Sequence, residues 1–307
     1  MINHKNTESI NNLKRFALLL HESAYIDWPV IIWSLRPQAR KRGEHFVKFL
    51  ERKGIIKNYT AEKKFSFLEY NFYYEASDLA ALTADLVSIW GRDFKYFREK
   101  FIDSGAYFFE GPYETDLVKI KPGDYVIDAG ANLGLFTVLA SNKVGSDGLI
   151  YSFEPIKKTR KLLEKNIKIN NLENVLIEPF ALGQKNESIL FNVPNDLGGS
   201  SSVFSSSDLS SDKTEAAEMR TIDYLVSNGI ISRFDFIKAD IEGAERDLLA
   251  GARIAIQKFK PRLSLCTYHL EDDKSVLSKL LLEIEPGYEI YYSPTKMMAH
   301  YKGSKLN

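Results

Sequence analysis

Carboxylates recur in this sequence at the ends of short apolar runs, where a buried strand would deliver them to one edge of a sheet. Asp128 closes Tyr125-Val-Ile, Glu154 follows Leu149–Phe153, and Asp240 follows the run 234–239. Lys238 stands two residues before Asp240, on the same strand face. Glu242 and Glu245 come next, and a further run, 262–268, ends at His269. Such groups suit chemistry on a hydroxyl. A hydroxyl is a poor nucleophile until its proton begins to leave, so a base or a metal ion must stand beside it. Asp240 is the candidate base, or else the residue that orients the acceptor hydroxyl. A neutral His269 imidazole can take the proton near pH 7; its other reading is a strand-end histidine bonded to backbone. Glu242 and Glu245 read equally as helix-start carboxylates, which the helix dipole stabilises by about 0.3–1 kcal/mol. The same carboxylate density would suit a hard cation such as Mg²⁺, although no metal is assigned. The candidate catalytic set is therefore Asp240, His269, Lys238 and Glu242.

These residues need a sheet to align them. From Lys121-Pro-Gly-Asp124 onward, strand and helix patterns alternate. Strands are expected at 125–128, 149–153, 175–180, 234–239 and 262–268, with helices at 135–142, 157–170, 243–258 and 274–284. Repeats of this kind imply a parallel sheet with right-handed crossovers. The last two runs, 288–292 and 297–301, are separated by only four residues. A parallel crossover needs a dozen or more, so this pair is expected to form an antiparallel hairpin. The fold class is thus α/β and Rossmann-like, mostly parallel, with a C-terminal hairpin that a standard NAD-binding domain lacks.

The first 105 residues carry helical spacing instead, at Leu13, Phe16, Ala17 and Leu20, and at Leu79, Leu82, Leu86 and Trp90. The expected organisation is a helical region over 1–105, serving as a substrate lid or for dimerisation, and a ligand-binding domain over 106–307. Within the first part, 65–74 is dense in aromatics. It reads as a helix-packing core, with a wall for a sugar as the second reading. The stretch 194–211 reads as a loop, either a linker or a lid.

The loop Asp128-Ala-Gly130-Ala131-Asn132-Leu-Gly134 follows the first strand of the sheet. Ligands of open α/β sheets bind at the carboxyl ends of strands where the winding reverses, so its place is right for a cofactor. Gly130 would let the backbone pass close to a ligand, and Gly134 would let the next helix pack tightly. Asp128 can accept from a ligand ammonium group, and Asn132 can hold the loop's shape. A dinucleotide diphosphate wants Gly-x-Gly-x-x-Gly, and Asn132 occupies the place of its second glycine. No Gly-Lys-Ser/Thr loop for a nucleoside triphosphate occurs either. Glu154, before Pro155, can accept hydrogen bonds from both hydroxyls of an unphosphorylated ribose. Loop and acid together fit a phosphate-free nucleoside such as that of S-adenosylmethionine. Ala181 and Leu182 offer backbone groups to an adenine.

The run Gly123-Asp-Tyr-Val-Ile-Asp-Ala-Gly-Ala-Asn-Leu-Gly134, with Phe153-Glu-Pro155, Ala181-Leu-Gly183 and Ile237-Lys-Ala-Asp-Ile-Glu-Gly-Ala-Glu245, resembles the FkbM family of methyltransferases. The likeness covers roughly residues 111–301, and Lys-x-Asp-x-Glu-Gly-x-Glu is its family-specific part. It implies a class I methyltransferase sheet, S-adenosylmethionine as cofactor, and O-methylation of a sugar, glycan or secondary metabolite. By the same likeness Glu114, in Glu110-Gly-Pro-Tyr-Glu114, folds over the cofactor's methionine end, unless that segment is a structural turn. The competing readings are an NAD-dependent dehydrogenase and a non-catalytic nucleoside-binding module.

Composition sets bounds on partners. Lys plus Arg and Asp plus Glu both number 41, for zero net charge, which argues against broad nucleic-acid binding. Arg36, Arg40, Lys41 and Arg42 form a local basic stretch, read as a solvated helix face with an acidic-substrate contact as the second reading. Cys266 is the only cysteine, so no intrachain disulfide forms. No apolar run approaches the ~20 residues that span a bilayer, and the N-terminus lacks an export signal. The expectation is a cytoplasmic protein with a small-molecule or glycan substrate, no nucleic-acid partner, no membrane span, and a homodimer left open.

Overall fold

The computed structural model describes residues 48, 51–52, 54, 56–74, 89, 113–192, 214–293 and 295–303. The basic stretch 36–42, the serine-rich 194–211, the helical patterns at 13–20 and, residue 89 apart, at 79–90 lie outside the described residues.

Seven strands form the central sheet. Five are parallel: β4 (Tyr125–Ala129), β5 (Leu149–Phe153), β6 (Val175–Glu178), β10 (Phe236–Ala239) and β11 (Arg262–Cys266). Their apolar runs are continuous because both faces are covered; all four residues of β10 are buried. The sheet ends in the expected hairpin: β12 (Tyr288–Tyr292) pairs antiparallel with β13 (Lys296–Tyr301), which pairs antiparallel with β11. The full order is β12-β13-β11-β10-β4-β5-β6. Helix α1 (Leu135–Val144) is buried nearly all round. Helix α2 (Lys157–Ile169) buries Leu162, Leu163, Asn166 and Ile167 and turns its lysines outward.

Three expectations are corrected. The aromatic segment is not helical: β1 (Ile56–Tyr59), β2 (Lys64–Phe67) and β3 (Tyr70–Tyr73) form an antiparallel meander. Its period is two. Phe65, Phe67 and Phe72 are fully buried, while Lys64, Ser66 and Asn71 are partly exposed. The helical assignment over 1–105 therefore fails across 56–73. The meander shares a core with Leu139, Leu162 and Leu163 of α1 and α2, and each buried Phe contributes about 1.5–3 kcal/mol.

The expected strand 175–180 is two strands. Pro179 has no N–H for a ladder, and β7 (Phe180–Leu182) leaves for a separate sheet with β8 (Glu187–Asn192) and β9 (Thr214–Arg220), in the order β7-β9-β8. The expected helix 243–258 is also two: α4 (Glu245–Ala250) and α5 (Arg253–Phe259), following α3 (Ile222–Ser227). Between them Gly251 meets the end of β7 so closely that a Cβ there would sit 2.0 Å from the Gly183 carbonyl oxygen. Helix α6 (Asp273–Ile284) falls as expected.

Candidate active site

The chain lays down β4, β5 and β6 moving one way, then returns to set β10 on the other side of β4. The winding reverses between β4 and β10, and the crevice outside their carboxyl ends is where such sheets take ligands. The loop after β4 is locked to β5. Gly130 and Ala131 donate their N–H groups to the Phe153 carbonyl at 3.1 and 3.0 Å. Asn132, exposed at the tip with φ 49°, donates its N–H to Glu154 Oε2 at 2.9 Å, and Ile156 donates to Oε1 at 3.0 Å. Asparagine is among the few side chains that tolerate that left-handed backbone. Arg160 clamps the turn by donating to the carbonyls of Glu154 and Pro155, each at 2.8 Å.

The two glycines divide differently from expectation. A Cβ on Gly130, at φ 74°, would lie 2.0 Å from the Asp240 carbonyl oxygen. Its missing side chain admits the end of β10, not a ligand. A Cβ on Gly134 would lie 2.5 Å from Leu163 Cδ1 of α2, the tight helix packing that was expected.

Asp128 and Lys238 form the floor. Asp128 is fully buried; Thr137 donates its hydroxyl to Oδ2 at 2.6 Å, and Lys238 Nζ stands 3.0 Å from Oδ1. Both Asp128 oxygens are thus met from within the fold, and its expected role toward a ligand ammonium, direct or through water, is not tested by these contacts. Lys238 also donates to the carbonyls of Ala129 and Gly130, at 3.2 and 2.8 Å. Burial opposes its charge, but Asp128 and Asp240 outweigh burial and hold its pKa above the ordinary value. Three contacts thus hold the Lys238 ammonium against Asp128 and the glycine loop.

Above the floor stands Asp240. Tyr113 donates its hydroxyl to Oδ2 at 2.6 Å, and Tyr268 donates to Oδ1 at 2.8 Å. Burial pushes the carboxyl up, but Lys238, the Tyr113 hydroxyl, His269 and Lys296 together bring it down to about 2. So weak a base orients a hydroxyl better than it deprotonates one. Lys296, buried at the start of β13, lies 4.2 Å from the centre of the Tyr113 ring.

His269 is ringed by carboxylates. Its Nε2 lies 3.4 Å from Glu242 Oε2 and 3.7 Å from Asp240 Oδ1, and its Nδ1 lies 3.2 Å from Glu245 Oε1. Burial works against its charge, but these acids raise its pKa to about 10. The imidazole is therefore charged near pH 7, and the expected neutral base is not present in this arrangement. Glu242 does not sit in a helix: it holds φ 57° in the turn before α4. Such backbone outliers gather where function holds them. Glu245 opens α4, is fully buried, and accepts the Ile241 N–H at 2.9 Å.

Glu154 is buried, and desolvation raises its pKa to about 7 against the pull of the Ile156 and Asn132 N–H groups. Glu114 is misplaced as a cofactor contact. Its carboxylate accepts from the Ile120 N–H at 2.7 Å and pairs with Lys143. Lys143 lies in the last turn of α1, about 13 Å along the axis from Gly134. Ala181 and Leu182 are buried on β7, with their backbone laddered to Met219 and Arg220 on β9. Sequence reasoning missed Tyr113, Tyr268, Arg160 and Lys296. Tyr268, beside His269 after β11, and Tyr113, beside Glu114, gave signals that could have been followed.

A Methyltransferase FkbM domain matches residues 128–291, more than half of the chain. "Methyltransferase 1" of Beauveria bassiana (strain ARSEF 2860) is 25% identical over 153 residues, which are 44% of this chain and 61% of that protein. The chain thus spans about three-fifths of the length of this relative. Methyltransferase FkbM from Methylobacillus flagellatus KT aligns with TM-score 0.47 and 22% identity, over 61% of this chain and 46% of that one. A SAM-dependent O-methyltransferase from Thermotoga maritima aligns with TM-score 0.38 and 16% identity, over 60% and 61%. The family match starts on Asp128, runs through Glu154, Lys238, Asp240 and His269, and ends within β12; the chain belongs to the FkbM family of methyltransferases, enzymes that use S-adenosylmethionine.

Proposed function

We propose that this chain is an O-methyltransferase that transfers the methyl group of S-adenosylmethionine to a hydroxyl of a sugar, glycan or secondary metabolite. The observation that carries the reading is the charge at the carboxyl edge. Asp240, Glu242 and Glu245 set three carboxylates there against the one charged imidazole of His269, with Glu154 beside them, while Lys238 is spent on the floor beneath. Such an edge favours a cationic sulfonium and repels a diphosphate. When bound, S-adenosylmethionine supplies an electrophilic methyl group.

The chain's own residues then divide the work. Glu154 has a free lone pair on each carboxylate oxygen for a ribose hydroxyl, beyond the N–H groups of Asn132 and Ile156. Asn132, in the loop after β4, and Pro155, in the turn after β5, flank that carboxylate. Lys238 fixes the height of the loop through the Gly130 carbonyl. Asp240, steadied by Tyr113 and Tyr268, accepts a hydrogen bond from the acceptor hydroxyl and aims its oxygen. It takes the proton as the methylated oxygen becomes strongly acidic, so even a weak base suffices. Correct aim supplies much of the catalysis in an in-line displacement. Residues 1–105 complete the acceptor side or serve assembly, and the substrate is a small molecule or glycan. Among the described residues no helix is long and apolar enough to cross a membrane.

The test is transfer of labelled methyl from S-adenosylmethionine to a panel of nucleotide-activated sugars, glycans and hydroxylated metabolites. Asp240→Asn should lower kcat by about 10²-fold or more while the Kd for S-adenosylhomocysteine stays within about twofold. Binding of NAD in preference to S-adenosylhomocysteine, measured by calorimetry, would reject the reading.

A further inference from the structure

The geometry points to a divalent cation site at the carboxyl edge, held by Asp240, Glu245 and His269 with Glu242 beside them. This goes beyond the proposed reaction and stands whether or not the acceptor is a hydroxyl. One ligand atom from each of Asp240, Glu245 and His269 falls within 4.8 Å of the other two. His269 Nε2 stands 3.4 Å from Glu242 Oε2 and 3.7 Å from Asp240 Oδ1, while Glu245 Oε1 stands 3.2 Å from the other ring nitrogen, Nδ1. The separations around Nε2 are close to those between neighbouring ligands on a cation bound at about 2.0–2.2 Å.

Two buried groups carry the inference past a mere cluster of acids. The Glu245 side chain is wholly buried, yet its Oε2 has no hydrogen-bond partner. The His269 side chain is only 9% exposed, and neither ring nitrogen makes a hydrogen bond, although carboxylate oxygens surround it. Buried polar atoms are nearly always paired, and leaving one unpaired costs about 1–3 kcal/mol. A cation that displaces the imidazole proton and accepts lone pairs from both residues satisfies them together, with one proton released on binding.

The surroundings behave as an outer shell. Tyr113 and Tyr268 hold the Asp240 carboxylate from two sides, and the Ile241 N–H holds Glu245 Oε1. Fixing ligands in this manner is what outer partners of metal sites do. Glu242, 32% exposed at its side chain, stands on the solvent side, and its left-handed backbone is what turns it toward His269. One imidazole among carboxylates is a mixed nitrogen and oxygen set, suited to Mn²⁺ or Zn²⁺ more than to Ca²⁺.

Mn²⁺ is the probe, because its free-ion paramagnetic resonance signal vanishes on binding. Titration of the full chain, without methyl donor, should show one bound Mn²⁺ per chain with Kd in the micromolar range. Asp240→Asn and His269→Gln should each weaken it at least tenfold, while Lys161→Ala, on the outer face of α2, should leave it unchanged. In the unaltered protein, substoichiometric Mn²⁺ should broaden the ring signals of His269 before those of His300, a readout that needs no variant to fold. Mn²⁺ that stays free, or that binds with no preference for His269 and equally to the variants, would overturn the site and leave the proposed methyl transfer untouched. Loss of methyl transfer with Mn²⁺ still bound would do the reverse.

Discussion

At the scale of single residues, the most informative titration is that of Glu154. Its carboxyl has an ordinary pKa of 4.5 and rises to about 7 when buried. Between those values the folded chain holds a proton that the unfolded chain has lost. The group's contribution to stability therefore falls as pH rises from about 4.5 to 7. Ribose hydroxyls donate to the ionised form, so S-adenosylhomocysteine should bind about tenfold more weakly at pH 6 than at pH 8 and release up to one proton near pH 7. Calorimetry in buffers of different ionisation enthalpy measures that proton, and Glu154→Gln should abolish both effects. Lys238 poses a different test. Lys238→Met strands the Asp128 carboxylate in the interior, which should cost about 3–5 kcal/mol in denaturant unfolding. Adding Asp128→Asn should recover a large part of that loss, whereas a lysine acting mainly on substrate would show no such recovery. The identities of Asp128, Glu154, Lys238 and Asp240 were all legible in the sequence. Their division into floor and edge was not, because it depends on a 3.0 Å approach between residues that lie on adjacent strands.

At the scale of elements, the glycine loop offers a graded pair. Gly130→Ala puts a Cβ against the backbone of residue 240 at a φ that disfavours side chains, so neither partner can give way. We expect a loss of about 2 kcal/mol or more, with weakened S-adenosylhomocysteine binding. Gly134→Ala meets only the tip of Leu163, a flexible end, and should cost about half as much; melting curves of the two variants decide the order. Strands β4, β5, β10 and β11 and the final hairpin were readable because their apolar runs are bounded by turns. The meander was not, since six aromatics among ten residues mask the alternation of Phe65 and Phe67 with Lys64 and Ser66. The break at Gly251 was equally hidden, as its cause is the Gly183 carbonyl, a contact no local pattern carries.

At the scale of the whole molecule, one buried side chain ties the meander to the cofactor loop. Asn166 of α2 accepts the Tyr73 N–H at 2.6 Å and donates to the carbonyls of Tyr73 and Leu133, at 3.2 and 2.8 Å. Asn170 repeats the pattern on Asn71, accepting its N–H at 2.8 Å and donating to its carbonyl at 2.7 Å. Asn166→Leu should destabilise the fold by about 2–4 kcal/mol, since it leaves buried backbone groups without partners, and should speed proteolysis within 56–74.

The ion pair between Asp128 and Lys238 joins positions 110 residues apart in the chain. Losing either partner alone strands a charge, whereas losing both together is tolerable. Descent should therefore have treated the two codons as one heritable unit: relatives ought to keep the couple or exchange it wholesale, and intermediates carrying half of it should be scarce.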